Sequence, residues 1–340
     1  MTASGDIDTI VATALGELRV RGGSARLTAE LSAYHCLDGR GFGGWTAARA
    51  GLAASCCAAD KHLRSLQTVF SRAAVPGELT FEVTTLVEGR TASAYRVTAY
   101  QTEQPVLAAL AWFTAASLLA PAGPAAPDFA THPAPADCPR VDWIAKIGDF
   151  LGGFDIRAVD YALSQSDFEG PFCDGGDRVV LWLGAAAGRG GEAGAGASAT
   201  APQPVPEHSR PAAPDVDPGP GSGSAMGPNT ESASTLGSNP AAVAGLAERL
   251  TDLMMFDAFL MDAALRGRPG DGMLTLDLTT EWHATPGLAT PGLATGMTLL
   301  QATGHTHGLV ASTQGTLTTP SGHIRATATS QCRVYPGAGR

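Results

Sequence analysis

Residues 239–283 read NPAAVAGLAERLTDLMMFDAFLMDAALRGRPGDGMLTLDLTTEWH, and the fold turns on how this stretch is parsed. Asn239 is suited to accept backbone N–H bonds as an N-cap, and Pro240 has the fixed φ and missing donor of a first helical position. The body that follows is apolar on nearly every side. A surface helix would carry a single apolar stripe, so this one is expected to be wrapped by sheet. A tight turn then leads into MLTLDLTTEW, whose alternation predicts a strand returning along the helix. Asp252 sits mid-helix among Leu250, Leu253, Met254 and Met255. A carboxylate there costs several kcal/mol unless it is paired or hydrogen-bonded. The strand offers Thr275, Asp277 and Thr279 as partners. Asp257 and Asp262 follow on the same helix; Asp262, near its end, is expected to be solvated, and Asp257 is the main rival of Asp252.

Working outward, 340 residues at 44% hydrophobic and 16% charged suffice for two small domains or one double-sized core. A net charge of -10 with no basic run argues against a nucleic-acid surface, so anionic ligands would have to be met by a few local arginines. The N-terminus has no basic region followed by an apolar run, and no membrane span is expected. Six cysteines without zinc spacing or disulfide-scaffold density fit a reducing, cytoplasmic setting.

The pattern of the long stretch occurs twice. Residues 16–36 suggest a hairpin around Gly22-Gly23. Phe42-Gly43-Gly44 then opens the small-residue helix WTAARAGLAASCCAA, and glycines at a helix start admit another backbone or a ligand. Four strand-like segments follow, HLRSLQTVFSR, GELTFEVTTLVEG, TASAYRVTAYQ and PVLAALAWFTA, with turns at Glu88-Gly89-Arg90 and Thr102-Glu103-Gln104-Pro105. Residues 118–150 read as a Pro/Ala-rich linker with a short helix at VDWIAKIGDFL. GFDIRAVDYAL and DRVVLWLG then restart the series, which closes with MLTLDLTTEWHA, GMTLLQATGHTHG, LVASTQGTLTT and HIRATATSQCRVY. Residues 79–100 lie over 298–319 without a gap, hairpin turn roughly opposite hairpin turn, a repeat of pattern rather than identity. Residues 185–238, rich in Gly, Ala, Pro and Ser and without an aromatic residue, are expected to form a disordered insertion. The organisation expected is thus 1–117, a linker over 118–150, and 151–340.

A long helix wrapped by antiparallel sheet, duplicated in tandem, resembles the acyl-CoA thioesterase II family of the thioesterase-like superfamily. The likeness is carried by Phe42-Gly43-Gly44, by RSLQTVFSRAAVPGE with TLVEGRTASAYRVTAYQ, and by Thr251-Asp252-Leu253, Leu274-Thr275-Leu276-Asp277 and Ala328-Thr329-Ser330-Gln331. It implies an α+β fold, a tandem (double) hotdog with two antiparallel sheets each wrapped around a long central helix. It also implies acyl-CoA as substrate, no cofactor, and association as a homodimer. The family's Asp, Ser/Thr and Gln set carries over to Asp252, Thr275 and Gln331, the last through a one-residue bulge in the hairpin after Gly322. Where the family often has a prolyl or polar residue after the helical Asp, this chain has Met254 and Met255.

In that chemistry the carboxylate acts as base toward a water held by hydroxyl and amide, without a covalent intermediate. Gly43 and Gly44 are candidates for the oxyanion, and Arg64, Arg72 and Arg96 for the CoA phosphates. The first-half counterparts of Asp252, Thr275 and Gln331 fall near Gly43, Ser65 and Phe113, which predicts one working site per chain. A non-catalytic acyl-binding module is the alternative. An enoyl-thioester hydratase would want a His about five residues after the helical Asp, and none occurs before His283. His305-x-His307 lacks a third ligand, Cys56-Cys57 has no partnered His, and no Gly-x-Ser-x-Gly elbow exists.

Overall fold

A computed structural model describes residues 19–21, 24–58, 61–120, 122–141, 153–160, 178–185, 240–265, 272–283 and 296–335. The expected cap at Asn239, all but the first residue of the short helix at 141–151, and residues 186–238 of the expected insertion lie outside them.

In the first half, β1 (Arg19–Arg21) and β2 (Ser24–Leu31) pair antiparallel with Arg21 opposite Ser24, and the two-residue strands β3 (Cys36–Leu37) and β4 (Arg40–Gly41) form a small separate hairpin. Helix α1 (Gly43–Ser55) follows Phe42, whose extended backbone turns the chain into the helix without a side-chain cap. Then come β5 (Lys61–Phe70), β6 (Gly77–Glu88), β7 (Ala92–Gln101) and β8 (Gln104–Ala115). The expected β7–β8 turn is made by Thr102 and Glu103, both at positive φ, a geometry whose twist matches that of the flanking strands.

The second half repeats the series: β9 (Phe154–Asp160), β10 (Arg178–Ala185), helix α2 (Pro240–Leu265), β11 (Gly272–Trp282), β12 (Thr298–His307), β13 (Val310–Thr318) and β14 (Ile324–Tyr335). Strand order across the large antiparallel sheet is β1-β2-β6-β7-β8-β5-β11-β14-β13-β12-β10-β9. Read from either edge, the connectivity of the two six-stranded runs is the same. They meet where β5 pairs with β11, Val69 opposite Asp277 and Ser65 opposite Glu281, so the two sheets expected are two halves of one continuous sheet.

Each half lays its helix against its own strands, α1 on β2 and β5–β8, α2 on β10–β14, and the helices also pack on each other. Ala47, Ala50, Gly51, Ala53 and Ala54 make α1 slim enough for that approach, and all are buried. On α2, Leu253, Phe256, Phe259 and Leu260 are fully buried, each stabilising by about 1.5–3 kcal/mol relative to exposure. The all-round apolar reading of α2 is explained by this sandwiching between sheet and helix. Residues 122–141 run against the second half, with Ala125 bridged to His323, Trp182 Nε1 donating to the Pro133 carbonyl at 3.0 Å, and Phe129 edge-on to Trp182.

Bulges refine the repeat. In β5 the register against β8 shifts between Leu63 and Ser65; in β11 the register against β14 shifts between Thr275 and Asp277. Matching these bulges pairs Thr275 with Leu63 and Gln331 with Trp112, two residues from the expected Ser65 and one from the expected Phe113. The sequence alignment slipped because a bulge adds a residue to one strand only. The bulge expected after Gly322 is present at Arg325, since Leu317 faces Ala326 and Thr318 faces Ile324. Arg325 and Ala326 consequently both point inward, and both are buried.

Candidate active site

Two buried carboxylates lie five residues apart on α2. That spacing separates them by about 7.5 Å along the axis and about 140° around it, so they serve different surroundings.

Asp252 is fully buried and lies at the far end of β11 from Thr275. Its Oδ2 accepts the Trp282 Nε1–H at 3.0 Å, and its Oδ1 is in direct contact with the Arg325 guanidinium. Arg325 also donates to Glu248 at 2.7 Å, and the Arg249 guanidinium lies 5.7 Å from the Trp282 ring centre. Burial raises Asp252 to about 6, opposed chiefly by Arg325. Burial likewise lowers Arg249 to about 10. Trp282 is seven residues beyond Thr275 on the same strand, roughly 23 Å away at strand rise, so Asp252 and Thr275 do not meet. Asp252 sits in a buried ion cluster with Arg325 and Glu248, and the expectation that it would find its partner in Thr275 is corrected here.

Thr275 meets Asp257 instead. The carboxylate of Asp257, 2% exposed, accepts the Gly44 N–H on Oδ2 at 2.7 Å and the Thr275 hydroxyl on Oδ1 at 2.9 Å. The first helical turn of α1 thus holds a carboxylate, as the positive end of a helix dipole favours. Burial pushes Asp257 up to about 6, opposed by the Gly44 and Thr275 hydrogen bonds. It remains mostly ionised at neutral pH and is a stronger base than an ordinary carboxylate. Glycine is required at both positions by close approach: a Cβ on Gly43 would stand 2.9 Å from Asp257 Oδ2, and one on Gly44 would stand 2.8 Å from Met254 Cα.

The pair opens onto a cleft of about 590 Å³ between α1, the β3–β4 hairpin, β5 and the start of β11. Leu37, Phe42, Phe70, Val106, Met261 and Met273 give it apolar walls, and Arg40, Arg72 and Arg333 also line it. Arg72 and Gly43, both named in the sequence reading, line this cleft. Gly44 lies behind it, its N–H directed to Asp257. Arg64 lies elsewhere, its guanidinium hydrogen-bonded to the Trp282 carbonyl, and Arg96 is exposed on β7. Gln331 is exposed, its backbone N–H donating to Asp277 Oδ1 at 2.9 Å. Its inward-facing neighbours are Ser330, whose hydroxyl donates to the Asp277 carbonyl at 2.6 Å, and Cys332, paired across the ladder with Thr275. The expected trio is thus not assembled; Thr275 alone of the three reaches the cleft.

Among the described residues no group of three His, Cys, Asp or Glu is placed to hold a metal, and no helix is long and apolar enough to cross a membrane. His305 and His307 lie exposed at the end of β12.

A helix seated in each half of an antiparallel sheet defines a hotdog-type fold, and here a carboxylate of one helix, bonded to a strand hydroxyl, meets the first turn of the other helix. Residues 31–114 match the family described as "Acyl-CoA thioesterase N-terminal domain". Solved structures share the fold over nearly the whole chain. A TesB protein of Mycobacterium avium subspecies paratuberculosis is 20% identical, with 96% of this chain and 99% of that one covered and a TM-score of 0.61. Acyl-CoA thioesterase II TesB2 of Mycobacterium marinum is 16% identical, with 97% and 100% covered and a TM-score of 0.58. A conserved protein of unknown function with a hot dog fold from Alicyclobacillus acidocaldarius is 15% identical, with 96% and 98% covered and a TM-score of 0.61. No curated protein matches the chain. At 20% identity and below, these neighbours show a shared fold, the hotdog fold that the resemblance implied.

Proposed function

We propose that the protein is an acyl-CoA thioesterase, built as a tandem hotdog with one working site, in which Asp257 takes the role that the resemblance assigned to Asp252. The observation that carries this reading is the Asp257 carboxylate, fixed by Gly44 and Thr275 at the base of the cleft. A carboxylate has about four acceptor sites and two are used, which leaves room for a water. That water gives a proton to Asp257 as its oxygen attacks the thioester carbonyl. The developing oxyanion faces the N-terminus of α1, where the Gly43 N–H is the candidate donor. Collapse of the tetrahedral species expels the CoA thiolate, which takes up the proton, so one water is consumed and a free acid and CoA are formed. Arg40, Arg72 and Arg333 supply the local positive charge that a molecule of net charge -10 needs to receive CoA phosphates.

The test is CoA release across short, medium and long acyl-CoA for wild type, Asp257→Asn and Asp252→Asn. Loss of a general base costs about 10²–10⁴ in rate. Asp257→Asn is expected to fall in that range, whereas Asp252→Asn keeps its turnover and loses stability. Wild-type turnover by Asp257→Asn removes the proposed base. Saturable acyl-CoA binding without CoA release by the wild type would make the protein an acyl-binding module.

A further inference from the structure

Beside the Asp257–Thr275 pair stands a side chain that the chemistry above does not use. Met261 lies four residues after Asp257, hence on the same face of α2. Helical side chains lean toward the N-terminus, so the Met261 thioether reaches back over the turn bearing Asp257. Its Sδ comes within 3.3 Å of Thr275 Oγ1, while that hydroxyl also faces Asp257 Oδ1 at 2.9 Å. One hydroxyl proton cannot serve both, and the ionised oxygen is the stronger acceptor. The sulfur therefore stands against the hydroxyl as a packing contact. Met261 is half-buried and lines the cleft, as does Met273.

The flank of the pair on the α2 side is thus closed by a thioether, and a thioester brought to the pair through the cleft that Gly43, Phe70 and Met261 line lies beside it. The geometry points to Met261 as a specificity-determining residue. Its thioether is the wall against which the acyl carbons next to the reacting carbonyl pack, and it sets the tolerance for branching there. The inference rests on the thioesterase reading for its substrate. Methionine is unbranched and adaptable, so the wall yields to a straight chain more readily than to a methyl branch held rigidly beside the carbonyl.

The test compares butanoyl-CoA with 2-methylpropanoyl-CoA, and pentanoyl-CoA with 2-methylbutanoyl-CoA, for wild type, Met261→Leu and Met261→Ala. A methylene-sized misfit in an apolar pocket is worth about 10–200-fold. Wild type and Met261→Leu are expected to prefer the straight isomer by about tenfold or more in kcat/KM. Met261→Ala is expected to bring the two isomers within about threefold. Because each ratio is taken on one preparation, partial unfolding cancels, and Met261→Val serves if the alanine variant does not fold. An unchanged ratio in the folded variant overturns the assignment. If wild type releases no CoA, the hydrolytic reading fails on its own. The wall is then judged by dissociation constants of the corresponding non-hydrolysable acyl-CoA thioethers, with the same ratios expected.

Discussion

Replacing Gly44 by alanine probes the contact on which the proposed site depends without replacing any reacting group. The added Cβ would stand 2.8 Å from Met254 Cα, 2.9 Å from Asp257 Cβ and 3.0 Å from the Leu253 carbonyl. Carbon atoms are comfortable at about 3.5–4.0 Å, and two of the three neighbours are backbone, so the helices must part by about 0.7 Å. Overpacking of this kind costs about 1–3 kcal/mol. The same displacement lengthens the Gly44 N–H to Asp257 hydrogen bond, 2.7 Å in the native protein, to about 3.4 Å. A hydrogen bond to a charged group contributes about 1.5–3 kcal/mol. The expected result is a Tm lower by roughly 5–15 °C and a kcat/KM reduced about 10–100-fold by misplacement of the base. The N–H bond favours the carboxylate, so weakening it raises the Asp257 pKa further, and the acid limb of the pH–rate profile moves to higher pH. Thermal unfolding and CoA release measured from pH 5 to 8 report all three effects. A folded Gly44→Ala protein with unchanged Tm and an unshifted acid limb would refute the reasoning.

Two further outcomes follow from the buried carboxylates. Asp257 is raised from 3.8 to about 6, so folding favours its protonated form. Its contribution is fully present below about pH 4 and is lost as pH rises to about 6, a change of about 3 kcal/mol. Urea unfolding should show a steeper fall in the wild type than in Asp257→Asn, which keeps only the share due to Asp252, and parallel pH curves would count against it. Arg325→Ala leaves Asp252 and Glu248 buried without their shared cation, which should cost about 3–5 kcal/mol of stability. Its kcat/KM for any acyl-CoA should stay within a few-fold of wild type wherever it remains folded; a loss comparable to that of Asp257→Asn would move the chemistry to the ion cluster.

The helix, the returning strand and the doubled meander could be read in the sequence, because each rests on local periodicity and turn chemistry that the packing reinforces. The Phe42-Gly43-Gly44 helix start and Thr275 could be read for the same reason. Which aspartate meets α1 and Thr275 could not. α2 is apolar all round, so Asp252 and Asp257 occupy equally unfavourable positions in the sequence, and only the crossing point with α1 separates them. Gln331 was misread for a different reason: its face of β14 depends on where strand bulges fall, and a bulge is a one-residue event with no strong compositional mark. Met261 was legible as an apolar helix residue, and nothing in its neighbours signals that its sulfur would rest on Thr275.

The Gly44–Asp257 hydrogen bond spans 213 residues of chain and fastens one half of the molecule to the other. Closure entropy grows only with the logarithm of that span, by about 0.6 kcal/mol for each doubling. Shortening the chain between β10 and α2 by a quarter of the span would alter the cost by roughly 0.3 kcal/mol. Evolution can therefore lengthen or trim that connection almost freely, while a single methyl group at Gly44 is felt at once. The site is tolerant of added sequence and intolerant of added volume.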